Sequence, residues 1–375
     1  MVALVEPVSP LADKTPRGPA PGIGICVSGG GYRAMLFHLG AFLRMFELGL
    51  LQKASRISSV SGGSITSAKV ALEWSKLKTR QDFFDHVVDP IRRVAATTID
   101  LPAIAQGLVL PGSVADYVAR AYRKHLFGEA TLQHLPDAPE FVINATNVET
   151  GTLWRFSRGV MADYKVGEIH RPKIALATAV AASSAFPPLL SPLVLKVKPT
   201  DFSRRFTKDP ALLSDISLAD GGVYDNMGLE TVWKAYRNVL VSNAGALLQP
   251  DDDPSSAWIP QFKRALDIIY GQVGSLRQRQ LIASFKAPQG ARGWRRGTYW
   301  AVGSDVRHYK LPGALKAPIE RTTELARLPT QLRPFGKHFD QRLINWGYAI
   351  CDTAVRKHFG QPNDPPAAFP YAGGV

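Results

Sequence analysis

The chain has 375 residues, 45% of them hydrophobic and 20% charged, a globular composition long enough to bury a large core. Its formal net charge of +14, with a sequence pI near 9.8, favours encounter with acidic surfaces. Two cysteines far apart in sequence, Cys26 and Cys351, argue against a disulfide framework and fit a reducing compartment, so a cytoplasmic location is expected.

Met1 to Pro21 is rich in proline and small residues, and no continuous apolar run follows a basic start. A flexible lead-in over 1–21 is expected, without a signal peptide. Ile23, Ile25 and Val27 then alternate as a half-buried strand does. The turn Ser28-Gly29-Gly30-Gly31-Tyr32-Arg33 follows, and Leu36, Leu39, Leu43 and Phe46 recur beyond it at helical spacing up to a stop at Gly49. Three glycines at a helix start leave N–H groups unshielded, and the helix dipole favours negative charge there. Such a turn can cradle a phosphate or a developing oxyanion, or can be a tight strand-to-helix turn with no ligand. No Lys-Ser/Thr stands at P-loop spacing, and Gly22-Ile23-Gly24 does not complete a dinucleotide fingerprint.

A second glycine turn, Ser59-Val60-Ser61-Gly62-Gly63-Ser64, leads into an apolar stripe of Ile65, Ala68, Ala71 and Leu72. Strand, sharp turn and helix form the context in which a G-x-S-x-G elbow lifts its serine clear of a sheet. Ser59 stands where that pattern has glycine, and an ordinary Ser/Gly helix cap is the plainer alternative.

From Thr79 to Leu135 the pattern is mostly helical, with stripes at Phe83, Phe84, Val87 and Val88 and at Val118, Ala121 and Tyr122; a cap beside the site is expected. Phe141 to Ile143 reads as a buried strand leading to Asn144-Ala145-Thr146-Asn147, and Val148 to Phe156 as a hairpin about Glu149-Thr150-Gly151. Ile174 to Leu195 carries no charge over 22 positions, long enough to raise a membrane span. Pro187, Pro188 and Pro192 argue instead for a buried helix over 174–182 and an apolar loop over 183–192. Asp220-Gly221-Gly222 places a carboxylate on a glycine turn that can approach another loop closely, or is simply a solvated turn. A short helix about Leu229 and Val232 and a core strand at Val239 to Ser242 follow. Alternating strands and helices imply an α/β layered fold with a mainly parallel central sheet.

Trp258, Phe262, Leu266, Ile269, Val273 and Leu276 mark a long amphipathic helix. Lys286 to Trp300 mixes Arg292, Arg295 and Arg296 with Trp294, Tyr299 and Trp300. That mixture suits an anionic membrane interface, nucleic acid, or a solvated hairpin with core aromatics. Leu332 to His358 reads as a last helix, and the proline-rich tail 361–375 as disordered.

The glycine loop Gly29-Gly30-Gly31-Tyr32-Arg33-Ala34, the elbow Ser59 to Gly63 and the turn Asp220-Gly221-Gly222, in this order, resemble the patatin-like phospholipase family, which includes the catalytic domain of cytosolic phospholipases A2. Asn144 to Asn147 and Ala182-Ser183-Ser184-Ala185-Phe186-Pro187 add to the likeness, which covers about Gly22 to Gly245; Ser59 and Ala34 depart from the usual glycines. The resemblance implies a three-layer patatin-like fold over 22–245, with 246–360 as a helical and basic-aromatic extension packed on it. It also implies a Ser–Asp dyad of Ser61 as nucleophile and Asp220 as base, with Gly29, Gly30 and Gly31 as oxyanion hole. Arg33 either contacts a substrate phosphate or supports the loop.

Phospholipid or lysophospholipid is then the expected substrate, and an anionic membrane surface the expected peripheral partner, ahead of nucleic acid. No cofactor or catalytic metal is expected, since no clustered His/Cys/carboxylate spacing is present. A transacylase, a carboxylesterase on small esters and a non-catalytic lipid- or nucleic-acid-binding module are the rival functions. A conventional triad would draw its histidine from His308, His338 or His358, which follow the acid in the chain.

Overall fold

In the computed structural model, which describes residues 19–109, 113–360, 364–365 and 367–375, eleven strands join one sheet. In chain order they are β1 (Ala20–Val27), β2 (Ala54–Val60), β3 (Glu140–Asn147), β4 (Thr152–Phe156), β5 (Val160–Asp163), β6 (Gly167–His170), β7 (Leu193–Leu195), β8 (Arg204–Arg205), β9 (Ile216–Asp220), β10 (Tyr236–Asn243) and β11 (Arg296–Ala301). Five helices matter below: α1 (Gly31–Glu47), α2 (Gly62–Leu72), α3 (Leu176–Ser183), α4 (Trp258–Lys286) and α5 (Lys337–His358). β11, β10, β1, β2 and β3 lie side by side and run parallel. Beyond β3 the sheet continues as an antiparallel ribbon through β4, β5, β6 and β8. Helices flank it, as the alternation of strand and helix patterns predicts.

Towards their C-terminal ends β1, β2, β3 and β10 are buried on both faces, as parallel strands covered by helices are, although the alternation along β1 reads as half-buried. Along β1 the side chains alternate: Ile25 and Val27 join the large core containing α1, whereas Cys26 joins Val239, Val241, Trp233 and Leu281 on the opposite face. α1 is buried along its length from Gly31 to Met45, between the sheet and α5. Backbone meets backbone at that crossing. A Cβ added to Gly40 would lie 1.9 Å from the Ile344 carbonyl oxygen, and one on Gly347 1.8 Å from that of Phe37. Gly40→Ala should therefore lower stability by about 2 kcal/mol, because overpacking outweighs the helix-propensity gain of at most about 1 kcal/mol. A urea titration with unchanged m-value checks this.

Several expectations take a different form. Residues 1–18 of the expected lead-in lie outside the described residues, whereas Ala20 and Pro21 already belong to β1. Asn144 to Asn147 lies within β3, which extends the expected strand to its end. There Asn147 donates from Nδ2 to Asp163 at 3.0 Å, tying β3 to the end of β5. The segment Lys286 to Trp300 divides between core and surface: Trp300 is fully buried, and Arg295 is buried with its guanidinium 4.8 Å from the Trp233 ring centroid, whereas Arg292 and Arg296 are exposed. Parallel pairing with β10 draws the end of this segment into the sheet as β11. In the tail, residues 361–363 and 366 lie outside the described residues. Residues 367–375, expected to be disordered, pack against the fold instead. Asn345 on α5 donates to the carbonyls of Tyr371 and Gly374, both at 2.7 Å, and Val375 is buried. No helix among the described residues is long and apolar enough to cross a membrane.

Candidate active site

β3 acts as a ruler that brings two distant residues together. One edge of β3 carries β4, so β2 and β9 share the other. β2 pairs along it up to Val60 opposite Asn144, and β9 takes over at the next position, with Asp220 opposite Ala145. Ser61 leaves the sheet just after Val60. The serine turn and the aspartate turn thus arrive at adjacent register positions from opposite directions, at the C-terminal ends of the parallel strands where open α/β sheets bind ligands. The glycine loop arrives at the same level, because Val27 of β1 pairs with Ser59.

Ser61 has φ 50° and ψ −122°, a backbone conformation that L side chains seldom adopt. The surroundings hold it there. Its N–H donates to Ser183 Oγ at 2.9 Å, and its carbonyl accepts from the N–H groups of Ser64 and Ile65 at 2.8 and 3.2 Å. The neighbours must be small, since a Cβ on Gly62 would fall 2.1 Å from the Gly31 carbonyl oxygen and one on Gly63 2.6 Å from that of Ser28. Ser59, the departure from the glycine pattern, fits because its hydroxyl donates to the Val142 carbonyl at 3.2 Å and accepts from Ser64 Oγ at 3.1 Å.

The Asp220 carboxylate accepts the Gly222 N–H at 2.7 Å, and the Ser61 hydroxyl stands near enough to favour its charged form. Asp220 is buried, and burial pushes its pKa up to about 7; the Gly222 amide and the Ser61 hydroxyl oppose that rise by stabilising the charged form. A carboxylate that titrates near neutrality is a far better match for general-base work than one at the ordinary value.

The glycine loop divides its labour. The Gly29 N–H donates to the Asn226 carbonyl at 3.1 Å. This amide therefore ties the loop to the aspartate turn and is already engaged, unlike the free donor expected from the sequence. Among the described residues the amides of Gly30, Gly31 and Gly62 have no hydrogen-bond partner, and the latter two open helices α1 and α2. Gly30 and Gly31 have φ of 142° and 59°, which only glycine adopts at low cost.

Arg33 packs against the glycine loop, its Nη2 3.0 Å from a Cβ position on Gly30. It is buried, with Nε 3.1 Å from the Ala244 carbonyl and Nη2 3.1 Å from Thr330 Oγ1, and it also donates to the Leu328 carbonyl. Of the two roles expected for it, loop support is the one these hydrogen bonds serve.

Three further residues complete the cluster. Ser183 Oγ donates to the Asn144 carbonyl at 2.6 Å and lies 2.9 Å from Ser64 Oγ, so it clamps elbow, β3 and α3 together. Its segment carries a family likeness in the sequence, but nothing local gives its role. Asn226 bridges the two glycine turns, since its Oδ1 would be 2.5 Å from a Cβ on Gly29 and 2.7 Å from one on Gly222. Tyr270, from α4, brings its hydroxyl to 2.8 Å from that same point on Gly222, and its ring stands edge-on to Phe186 at 6.5 Å. No sequence signal marks Tyr270, because it reaches the site from a helix fifty residues downstream of Asp220.

The late histidines sit elsewhere. His308 lies 4.0 Å from Asp305, His338 lies 3.3 Å from Arg342, and His358 meets the Tyr309 ring. Among the described residues no group of His, Cys, Asp and Glu side chains is arranged to hold a metal.

The profile of the family described as patatin-like phospholipase matches residues 25–233. Among solved structures, the fold is similar to human GIVD cytosolic phospholipase A2, with a TM-score of 0.53 at 14% identity, covering 90% of this chain and 61% of that one. The same human enzyme in complex with methyl gamma-linolenyl fluorophosphonate and terbium chloride gives a TM-score of 0.53 at 16% identity, covering 90% and 58%. The chain thus spans about three fifths of the length of that enzyme. No curated protein sequence matches the chain significantly.

Proposed function

Since the chain belongs to the patatin-like phospholipase family, we propose that it is a lipid acyl hydrolase of phospholipase A or lysophospholipase type, working through a dyad of Ser61 and Asp220. The observation that carries this reading is the register that brings Ser61 beside the buried Asp220, whose pKa burial pushes up to about 7, next to unengaged glycine amides. Asp220 takes the Ser61 proton as Oγ attacks the ester carbonyl, and the carbonyl oxygen becomes an oxyanion. The amides of Gly30 and Gly31 donate to that oxyanion; such donors are each worth about 3 kcal/mol in comparable sites. Collapse of the tetrahedral intermediate expels the alcohol, which takes the proton from Asp220, and leaves an acyl-serine. Water, deprotonated by Asp220, then attacks the acyl-serine; the acyl–Oγ bond breaks, Ser61 Oγ takes that proton back from Asp220, and the fatty acid is released. Burial serves this chemistry by keeping bulk water from the carboxylate and raising its basicity. The excess positive charge favours encounter with anionic lipid, and a peripheral, reversible association with its surface belongs to the same reading.

The test is release of free fatty acid from phospholipid and lysophospholipid across pH. As Asp220 must be ionised to act as base, kcat/KM should fall as pH drops through about 7, by about tenfold per unit below it. Absence of fatty acid release from either substrate, together with no labelling by a fluorophosphonate, would sink the proposal.

A further inference from the structure

The amphipathicity of α4 is inverted. Its partly covered positions include Arg264, Asp267, Tyr270, Gly274 and Arg277, whereas its large apolar side chains face solvent. Trp258 is 84% exposed, Phe262 63% and Ile269 60%, with Leu266, Val273 and Leu276 continuing the stripe at spacings of three and four. Only the last turns are docked in the usual sense, through buried Leu281 and Ser284. A helix so arranged is not held by its apolar face. It is pinned by Arg277, which lies 3.7 Å from both Asp225 and Glu230, and by Tyr270 over the aspartate turn.

We propose that the outward stripe of α4 is the surface by which the protein seats on an anionic lipid bilayer, with Trp258, Phe262 and Ile269 entering the headgroup–acyl boundary. For its partner this inference rests on the lipid acyl hydrolase reading. Two observations select lipid over a second copy of the chain. Of the five basic residues on the helix, Arg277 turns inward to Asp225 and Glu230 and Lys263 pairs with Asp267, the one acidic residue; Arg264, Arg279 and Lys286 lie outside those pairs, so a second copy would meet it with like charge, whereas anionic headgroups complement it. Basic side chains beside Trp, Phe and Leu are the make-up of helices that lie in the bilayer interface. The helix that carries the stripe also borders the site: on its covered face Tyr270 stands against exposed Phe186, and the Leu248 side chain lies 3.9 Å from a Cβ position on Gly271.

The experiment is sedimentation of the full chain with phosphatidylcholine vesicles, with and without phosphatidylglycerol. Binding should require phosphatidylglycerol and weaken with added salt. The triple variant Phe262→Ser/Ile269→Ser/Val273→Ser should lose at least tenfold in partitioning while its turnover of a monomeric short-chain ester stays at the wild-type level. Quenching of tryptophan fluorescence by brominated acyl chains should be lost in Trp258→Phe. Unchanged partitioning of the triple variant, or quenching that survives in Trp258→Phe, overturns the proposal. So does a lipid-free dimer in analytical ultracentrifugation that the triple variant dissolves, since it assigns the stripe to a second copy. Failure of the hydrolase reading shows separately, as absent ester turnover in the wild type, and leaves the vesicle result to stand or fall by itself.

Discussion

Ser61→Ala should abolish covalent labelling by a long-chain fluorophosphonate and lower acyl hydrolysis by about a million-fold, the scale on which loss of a serine nucleophile acts. The hydroxyl is the group the elbow is built to present: it leaves the sheet at Val60, and Gly62 and Gly63 keep the space beside it clear. The fold should not suffer, because alanine keeps the backbone N–H that donates to Ser183. Ser61→Gly separates strain from chemistry. Glycine adopts φ near 50° without a Cβ penalty, so this variant should be equally inactive yet more stable than Ser61→Ala by about 1–2 kcal/mol. Gel fluorescence, fatty acid titration and urea unfolding measure the three quantities. Persistent labelling of Ser61→Ala would place the nucleophile elsewhere.

Asp220→Asn should lower kcat by on the order of 10³-fold, as expected for a lost general base, and should at the same time stabilise the fold at alkaline pH. The sign follows from linkage. The carboxyl has an ordinary pKa near 3.9 in the unfolded chain and about 7 in the folded one, so between these values the folded state binds more protons. Stability from this group is therefore full below about pH 4, falls as pH rises towards 7, and is level above it. The amide is never charged and keeps an oxygen for the Gly222 N–H. Asp220→Asn should match the wild type at pH 4 and exceed it at pH 8 by on the order of 4 kcal/mol. Thermal or urea unfolding at the two pH values checks this. A variant that is less stable than the wild type at pH 8 would contradict a buried, proton-seeking Asp220. Both effects have one physical source: the burial that makes the carboxylate a useful base also makes its ionisation costly to the fold.

Much of this was legible in the chain itself, because it is local. A strand that ends in three glycines and opens a helix declares free amides. A serine between a strand and two glycines declares an elbow, and an aspartate before two glycines declares a carboxylate that other loops can approach. The alternation of such units implied the layered fold, and prolines at 187, 188 and 192 broke the one run long enough to cross a membrane. What the chain could not state are matters of register and burial. That Ser61 and Asp220 meet follows from β2 and β9 sharing one edge of β3. That Asp220 titrates near 7, that the Gly29 amide is engaged while those of Gly30 and Gly31 are not, and that Ser183 and Tyr270 belong to the cluster all depend on segments far away in sequence. The spacing of apolar residues gave α4 two faces but could not say which one the fold would cover. Periodicity is a property of a segment, whereas burial depends on its neighbours, and here the neighbours take the polar side.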